Sequence, residues 1–186
     1  KGGVNISGAN SSSFTITGTV AGDAGSYDVL VSGTCPPAVY SNAVNLTVNA
    51  IPVIGTQPTS QTVCSGSNVD LAVAATGTAL TYQWRKGGTD INGATSSSYT
   101  IPGATSANAG TYDVVVTGTC GIETSNTVSL VVNTAPAITT QPVSQTVCAG
   151  SDVTFSVIAT GTGLTYQWRK GGVNISGANS SSFTIT

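Results

Sequence analysis

The chain has no histidine and few charged residues. Its 186 residues include five Lys or Arg and seven Asp or Glu, so charged residues make up only 6%. Without histidine, neither a Ser-His-Asp triad nor a Cys-His pair can be built. The net charge of −2 provides no basic surface for nucleic acid or for an anionic membrane. We therefore expect no nucleic-acid partner.

Long apolar runs are also missing. No stretch is long enough to cross a bilayer, and no signal peptide opens the chain, so we expect no membrane insertion. Gly, Ser, Thr, Val and Ala dominate the composition. Apolar residues recur at every second position, which indicates β-strands rather than disorder. Helical periodicity is absent throughout.

The acidic residues stand apart from one another along the sequence. They are Asp23, Asp28, Asp70, Asp90, Asp113, Glu123 and Asp152. Paired-carboxylate catalysis needs two acids across a cleft, and calcium between domains needs acids clustered at each junction. Residues 49–52 and 133–136 contain none. We therefore predict no catalytic residue, no metal site and no cofactor, and we expect the protein not to be an enzyme.

The chain is an array of repeats. Residues 1–17 are identical to residues 170–186, Lys1 aligns with Lys86, and Lys86 aligns with Lys170, which gives a unit of about 84 residues. Residues 1–49 form the C-terminal part of one unit, 52–133 a complete unit, and 136–186 the N-terminal part of a third. Only two residues separate units, Ala50-Ile51 and Thr134-Ala135, and a proline follows each pair. Such short, stiff linkers favour a rod, so the sequence is expected to be a stretch of a longer array.

The complete unit contains seven or so short strands with turn residues between them. The central one follows Leu80-Thr81-Tyr82-Gln83-Trp84, where apolar and polar residues alternate, and a Gly-Gly turn follows it. Other strands are predicted over residues 53–59, 60–64, 69–75, 89–92, around Tyr99 and Ile101, from Tyr112 to Val116 and from Val128 to Val132. Pro58 confines the first of these to a sheet edge. The pattern predicts an antiparallel β-sandwich.

The sequence resembles the immunoglobulin-like superfamily. The residues that carry the resemblance are Gly66, Val69, Leu71 and Trp84, followed by Ala109-Gly110-Thr111-Tyr112 or, in the first unit, Asp23-Ala24-Gly25-Ser26-Tyr27. The phrases Gln-Pro-x-Ser-Gln-Thr-Val-Cys-x-Gly and Thr-Gly-Thr-Cys are similar to immunoglobulin-like repeats of large Bacteroidetes surface proteins. The resemblance covers essentially the whole chain and implies tandem, all-β immunoglobulin-like sandwiches.

The resemblance also assigns roles to several residues. It implies that Tyr27 and Tyr112 are tyrosine-corner residues whose hydroxyl groups bond back to the chain. Where the family places its inter-sheet cysteines, this chain has Val73 and Val114, with Val157 and Val29 at the same positions of the other units. The resemblance therefore implies that Trp84 and Trp168 pack on valines instead of a disulfide.

Each unit supplies two cysteines, at Cys64 or Cys148 and at Cys35 or Cys120. None has another Cys or His two to four residues away, so a zinc site is not expected, whereas regular pairs in an exported chain suggest disulfides. In the inferred topology Cys64 and Cys120 lie at opposite ends of the unit, about 26 Å apart, too far for a bond. We therefore favour a disulfide from Cys64 to the next unit's counterpart of Cys120. A bond between Cys64 and Cys120 within one unit is the alternative.

Three further features have a structural and a functional interpretation. Trp84 and Trp168 could stack on sugars, but their alternation with apolar residues favours the core. Arg85-Lys86 is expected to be a solvated strand end. The motifs at Asn5, Asn10 and Asn45 match the N-glycosylation pattern, so glycans are conceivable partners.

The repeats favour a structural role. We expect the units to be stiff spacers in the shaft of a long extracellular filament or cell-surface adhesin. Neighbouring copies of the repeat are the expected partners, and sparsely charged sheet edges would permit lateral association into fibres. The alternative is an adhesion module that binds carbohydrate or protein through loops such as Pro36 to Tyr40 or Gly121 to Asn126.

Overall fold

The computed structural model describes all residues, Lys1 to Thr186, and the regular structure is almost entirely β. The only helical segments are two short 3-10 turns, Ala21–Asp23 and Ser106–Asn108. None of these has the length or apolar character needed to cross a membrane. The prediction of an all-β chain is confirmed.

The first segment, residues 1–49, contains two separate strand pairs. The strands are β1 (Gly25–Tyr27), β2 (Leu30–Val31), β3 (Val39–Tyr40) and β4 (Val44–Leu46). β1 pairs with β4 and β2 pairs with β3, both antiparallel. No residue of this segment is fully buried, so it presents strands without a closed core.

The middle segment, residues 52–133, contains ten strands. They are β5 (Val53–Thr56), β6 (Gln61–Cys64), β7 (Val69–Ala72), β8 (Ala74–Thr76), β9 (Thr81–Lys86), β10 (Thr89–Asp90), β11 (Ser98–Ile101), β12 (Gly110–Gly118), β13 (Gly121–Thr124) and β14 (Val128–Asn133). One sheet has the order β10-β9-β12-β14-β6, with β13 paired to the far end of β12. The pairs β7 with β11 and β5 with β8 form the rest of the unit.

The edge strands differ from the expected antiparallel arrangement at one place. β6 pairs with β14 in parallel, with Val63 opposite Val132. The chain leaves β5 at Thr56, and the break around Pro58 allows it to join the other sheet as β6. β5 and β6 therefore lie at the edges of different sheets, and for β5 this agrees with the edge position predicted from Pro58.

The predicted strand over residues 69–75 is also divided. Val73 lies between β7 and β8, and its amide bonds to the carbonyl of Ser97 at 2.9 Å. β7 pairs with β11 whereas β8 pairs with β5. Alternating inward residues cannot reveal this division, because the same face remains buried on both sides of it.

The core lies entirely between Ile54 and Val132. Trp84, Val114 and Val116 are completely buried, and Trp84 lies opposite Val114 in the β9–β12 register. The full cluster contains 14 buried apolar residues, all of them from the middle segment. Since this segment has its own closed core, it has what a domain needs to fold independently.

The last segment, residues 136–186, repeats the first part of the unit. Its strands are β15 (Ala137–Thr140), β16 (Val153–Ser156), β17 (Ile158–Thr160), β18 (Arg169–Lys170), β19 (Val173–Asn174) and β20 (Ser182–Ile185). They pair as β15 with β17, β16 with β20 and β18 with β19. Counterparts of β12 and β14 are not among them. Trp168 is therefore only partly buried, although Trp84 at the same position is inaccessible.

Candidate functional site

Several of the acidic side chains bind backbone amides or neighbouring side chains. Asp23 accepts the amide of Val20 at 2.9 Å, and Glu123 accepts the amide of Ile54 at 2.8 Å. Nowhere do three Cys, Asp or Glu side chains come together as a metal-binding group. The bonds these two acids make fix strand and turn geometry.

Arg85-Lys86 lies at the end of β9, as expected, but neither side chain is freely solvated. Arg85 forms a two-pronged ion pair with Asp113 on the adjacent strand, at 2.8 and 2.7 Å, and the two side chains are 27% and 14% exposed. This hydrogen-bonded carboxylate raises the pKa of Arg85. Lys86 lies 6.0 Å from the centre of the Tyr112 ring and donates to the carbonyl of Ala107. Both cations therefore pack on the sheet surface.

The tryptophan of the complete unit is not available to a ligand. Trp84 has no exposed surface, its indole N–H donates to the carbonyl of Ser96 at 3.0 Å, and its ring lies 6.4 Å from that of Tyr99. Trp168 makes the same bond to Ser180 at 2.9 Å and borders an open groove of about 360 Å³. In the complete unit, β12 and β14 cover the residues at the same repeat positions as the groove lining. The groove is therefore the inside of a sandwich that lacks these two strands.

The tyrosine corner is present in the first segment, at Tyr27, and in the complete unit, at Tyr112. The hydroxyl of Tyr112 donates to the carbonyl of Asn108 at 2.7 Å, and that of Tyr27 donates to the carbonyl of Asp23 at 2.6 Å. Tyr112 is 2% exposed, whereas Tyr27 is only partly buried. Burial raises the pKa of Tyr112 above 10.0, and the neighbouring Tyr99 raises it further.

The buried Tyr112 gives a prediction for alkaline pH. Because its folded-state pKa is raised, the neutral phenol stabilises the fold below about pH 10, the unfolded-state value. That stabilisation is lost as the pH rises through the folded-state pKa. We expect the free energy of unfolding to fall above about pH 10, and Tyr112→Phe to remove this part of the fall. Replacing the hydroxyl should cost about 1 kcal/mol at neutral pH.

Urea unfolding followed by circular dichroism at several pH values measures this effect. Tyr40→Phe is the matched control, because Tyr40 is 68% exposed in the first segment. The control should keep the alkaline fall in stability. An identical pH profile for Tyr112→Phe and the unchanged protein would contradict the prediction.

The cysteines of the complete unit lie at its two opposite ends. Cys64 is the last residue of β6 and lies opposite Asn133, where the chain leaves the unit. Cys120 follows β12, and its thiol donates to the carbonyl of Asn49 at 3.7 Å, where the chain arrives from the preceding unit. No bond joins any two cysteines, and Cys35, Cys64, Cys120 and Cys148 are all free and exposed.

Both linkers are bound to the unit that follows them. The amide of Ala50 donates to the Thr78 hydroxyl at 2.9 Å, and the Thr78 amide donates back to the carbonyl of Ala50 at 3.2 Å. The second linker repeats this with Thr134 and Thr162, at 3.0 Å in each direction. Reciprocal bonds of this kind fix the orientation of each linker relative to the unit that follows it.

Close packing strengthens the first of these junctions. Pro52 is buried, and a Cβ atom at Gly118 would lie 2.9 Å from the Pro52 ring. Gly77 has a φ of 152°, and a Cβ atom there would lie 3.1 Å from the carbonyl oxygen of Ile51. The linker therefore fits into a surface that requires two glycines. Sequence reasoning missed this contact, although its signal is the Thr-Gly-Thr triplet at residues 76–78 and 160–162.

The two proposed binding loops differ in how firmly they are held. In the complete unit, Glu123 bonds to Ile54, and the amide of Asn126 donates to the side chain of Gln57 at 2.9 Å. In the first segment, Val39 and Tyr40 are 63% and 68% exposed. Both loops present a large apolar side chain to solvent, because Ile122 of the complete unit is also 68% exposed.

Comparison with known proteins identifies the fold. The profile of the immunoglobulin domain family matches residues 51–117. No curated protein sequence matches the chain. The structure is similar to a mutated three-domain fragment of titin, with a TM-score of 0.70 and 18% identity over 90% of this chain and 65% of that chain. It is also similar to four immunoglobulin domains of Sidekick-1, with a TM-score of 0.55 and 22% identity over 90% of this chain and 52% of that chain.

Identities below 25% establish the fold and leave activity open. Both of these structures consist of consecutive immunoglobulin domains, and this chain spans about two thirds of the titin fragment and half of the Sidekick-1 chain. The order β10-β9-β12-β14-β6, the buried Trp84 and the Tyr112 corner are the features of such a sandwich. The chain therefore has the fold of tandem immunoglobulin-like β-sandwiches, and its residues 51–117 match the immunoglobulin domain family.

Proposed function

We propose that these units are spacers in the shaft of a long extracellular filament or cell-surface adhesin. The observation that carries this proposal is the pair of reciprocal hydrogen bonds made by each linker, Ala50 with Thr78 and Thr134 with Thr162. Two junctions built the same way give a constant angle between units, so length grows in proportion to the number of units. Disulfides between neighbouring units would add stiffness.

Other features support an exported, structural protein. Two cysteines recur in each unit, and disulfides persist in oxidising compartments. The sequence phrases shared with Bacteroidetes surface repeats agree with such a location. The acidic residues serve local structure, and the buried tryptophan leaves no platform for a ligand in the complete unit.

Small-angle scattering and negative-stain imaging of the 186-residue chain test the spacer role. We expect one narrow distribution of angles between units. Thr78→Val removes one hydrogen bond at the first linker, and Thr162→Val removes the bonds to the Thr134 amide and hydroxyl at the second. Each bond is worth about 1 kcal/mol, so the double variant should broaden that distribution. Thr59→Val together with Thr127→Val is the control, since both side chains are exposed. Freely swinging units in the unchanged protein would refute the proposal.

A second candidate function is adhesion through the loop Pro36 to Tyr40. This loop is one residue longer than its counterpart in the complete unit and contains Tyr40, and aromatic side chains recur at binding surfaces. Screening the chain and a Tyr40→Ala variant against immobilised glycans separates the two functions. Specific binding that Tyr40→Ala abolishes would support adhesion, whereas a stiff chain without binding supports the spacer.

A further inference from the structure

The cysteines at both ends of a unit converge on the same asparagine. At the downstream end of the complete unit, Cys64 lies opposite Asn133 in the β6–β14 register. At its upstream end, the thiol of Cys120 contacts the carbonyl of Asn49. Asn49 and Asn133 occupy the same position in consecutive units. Each junction asparagine is therefore the neighbour of one cysteine from its own unit and of another from the following unit.

Both cysteines of a junction lie close to the same asparagine. Paired neighbouring strands are about 4.8 Å apart, which sets the distance between a cysteine at the Cys64 position and its asparagine. The thiol of Cys120 is 3.7 Å from the carbonyl oxygen of that same asparagine. A disulfide needs Cα atoms within about 7 Å. Both cysteines are exposed, so neither has to leave a packed core to reach the other.

The asparagine carbonyl can serve both units at once. In the complete unit it accepts the amide of Ser65 at 2.7 Å, directly after Cys64. At the upstream junction it accepts the Cys120 thiol. A carbonyl oxygen has two lone pairs, so the two contacts are compatible.

The alternative bond within one unit is excluded by the strand between its cysteines. β12 spans Gly110–Gly118, with Gly110 opposite Leu130 near the downstream end and Cys120 beyond the other end. Eight steps along a strand cover about 26 Å. Cys64 and Cys120 of one unit therefore cannot meet while the sandwich is folded.

We propose that consecutive units are joined by a disulfide between the Cys64 position of one unit and the Cys120 position of the next. The proposal rests on the proposed spacer function, since it requires units in series. The proposed bond does not pair any two of Cys35, Cys64, Cys120 and Cys148 with each other. Each of them would pair with a cysteine of a neighbouring unit outside this sequence.

The bond forms by exchange with an external disulfide, such as glutathione disulfide or the active-site disulfide of a thiol oxidoreductase. One cysteine, as thiolate, attacks the external disulfide and releases one thiol from it. The second cysteine then attacks the mixed disulfide and releases the other. Two protein thiols lose two electrons and two protons, and the oxidant is reduced to two thiols. The new bond crosses the junction next to the Ala50–Thr78 hydrogen bonds.

A two-unit protein made from two consecutive copies of residues 52–135 tests the proposal, because the complete unit has its own core. In the first variant, Cys64→Ser in the second copy and Cys120→Ser in the first leave only the two cysteines at the junction. In the matched control, Cys64→Ser and Cys120→Ser both in the second copy leave two cysteines in one unit. Each is treated with glutathione disulfide, the folded monomer is isolated, and free thiols are counted.

We expect the junction variant to fall from two free thiols to none as a monomer, with the junction peptides linked in mass spectra. The control should form no bond between its two cysteines, so each of them stays free or carries glutathione as a mixed disulfide, which mass spectra identify. The proposal would be overturned if the junction variant is folded and keeps both thiols free. A bond between the two cysteines of the control would also overturn it. Far-ultraviolet circular dichroism and the buried-tryptophan emission verify folding in both. If the disulfide forms but its reduction leaves the distribution of angles between units unchanged, the bond is real and does not stiffen the chain. Failure of the disulfide proposal and failure of the spacer proposal therefore give different results.

Discussion

Replacing Trp84 with alanine is expected to destabilise the complete unit by about 3–5 kcal/mol. The indole has no exposed surface, lies against Val114 on the next strand, and donates its N–H to the carbonyl of Ser96. Its removal leaves a cavity at the centre of the only closed core in the chain. Small domains have total stabilities of about 5–15 kcal/mol, so the loss would remove a large share of the stability of the unit.

Trp168→Ala is the natural control for this experiment. Trp168 occupies the same position of the repeat and makes the same hydrogen bond, but it is partly exposed and borders an open groove. Replacing Trp168 with alanine loses less buried apolar area and creates no closed cavity. We therefore expect its loss of stability to be less than half that of Trp84→Ala. Urea unfolding by circular dichroism compares the two. Equal losses would contradict the prediction that β12 and β14 seal the core.

The strands that carry this core were predictable from the sequence. Val69 and Leu71, and Tyr112 with Val114, alternate with polar residues, and the structure buries each of them. The same regularity conceals other features. A strand that changes its partner at Val73 keeps its inward face, and the parallel pairing of β6 depends on where the chain goes after Pro58. The alternation of apolar residues shows which face of a strand is buried, but it does not show which strand pairs with it.

The candidate site was predictable only in outline. The opposite placement of Cys64 and Cys120 follows from counting strand steps, and the structure has them at opposite ends. The convergence on Asn49 and Asn133 could not be foreseen, because no pattern links a cysteine to an asparagine 71 positions away. The pairing of Arg85 with Asp113 could not be foreseen either, because the pattern does not show that the two residues lie opposite each other on adjacent strands.

Gly118→Ala should loosen the junction that the spacer function depends on. The added methyl group would lie 2.9 Å from the Pro52 ring, 3.1 Å from the Thr78 carbonyl and 3.2 Å from Leu80. The proline ring and the carbonyl cannot move without displacing the linker. We expect a loss of about 1–3 kcal/mol, the usual cost of overpacking, and a broader distribution of angles in scattering and imaging.

Gly55→Ala provides the matched control in the same unit. A methyl group there meets nothing nearer than the Ala74 carbonyl at 3.9 Å, and surface changes of this kind stay within about 0.5 kcal/mol. We expect the control to keep both the stability and the narrow angles of the unchanged chain. If Gly118→Ala behaves like Gly55→Ala in both measurements, Pro52 does not fix the linker. Stiffness between units would then have to come from the Ala50–Thr78 hydrogen bonds and the covalent bond at the cysteines.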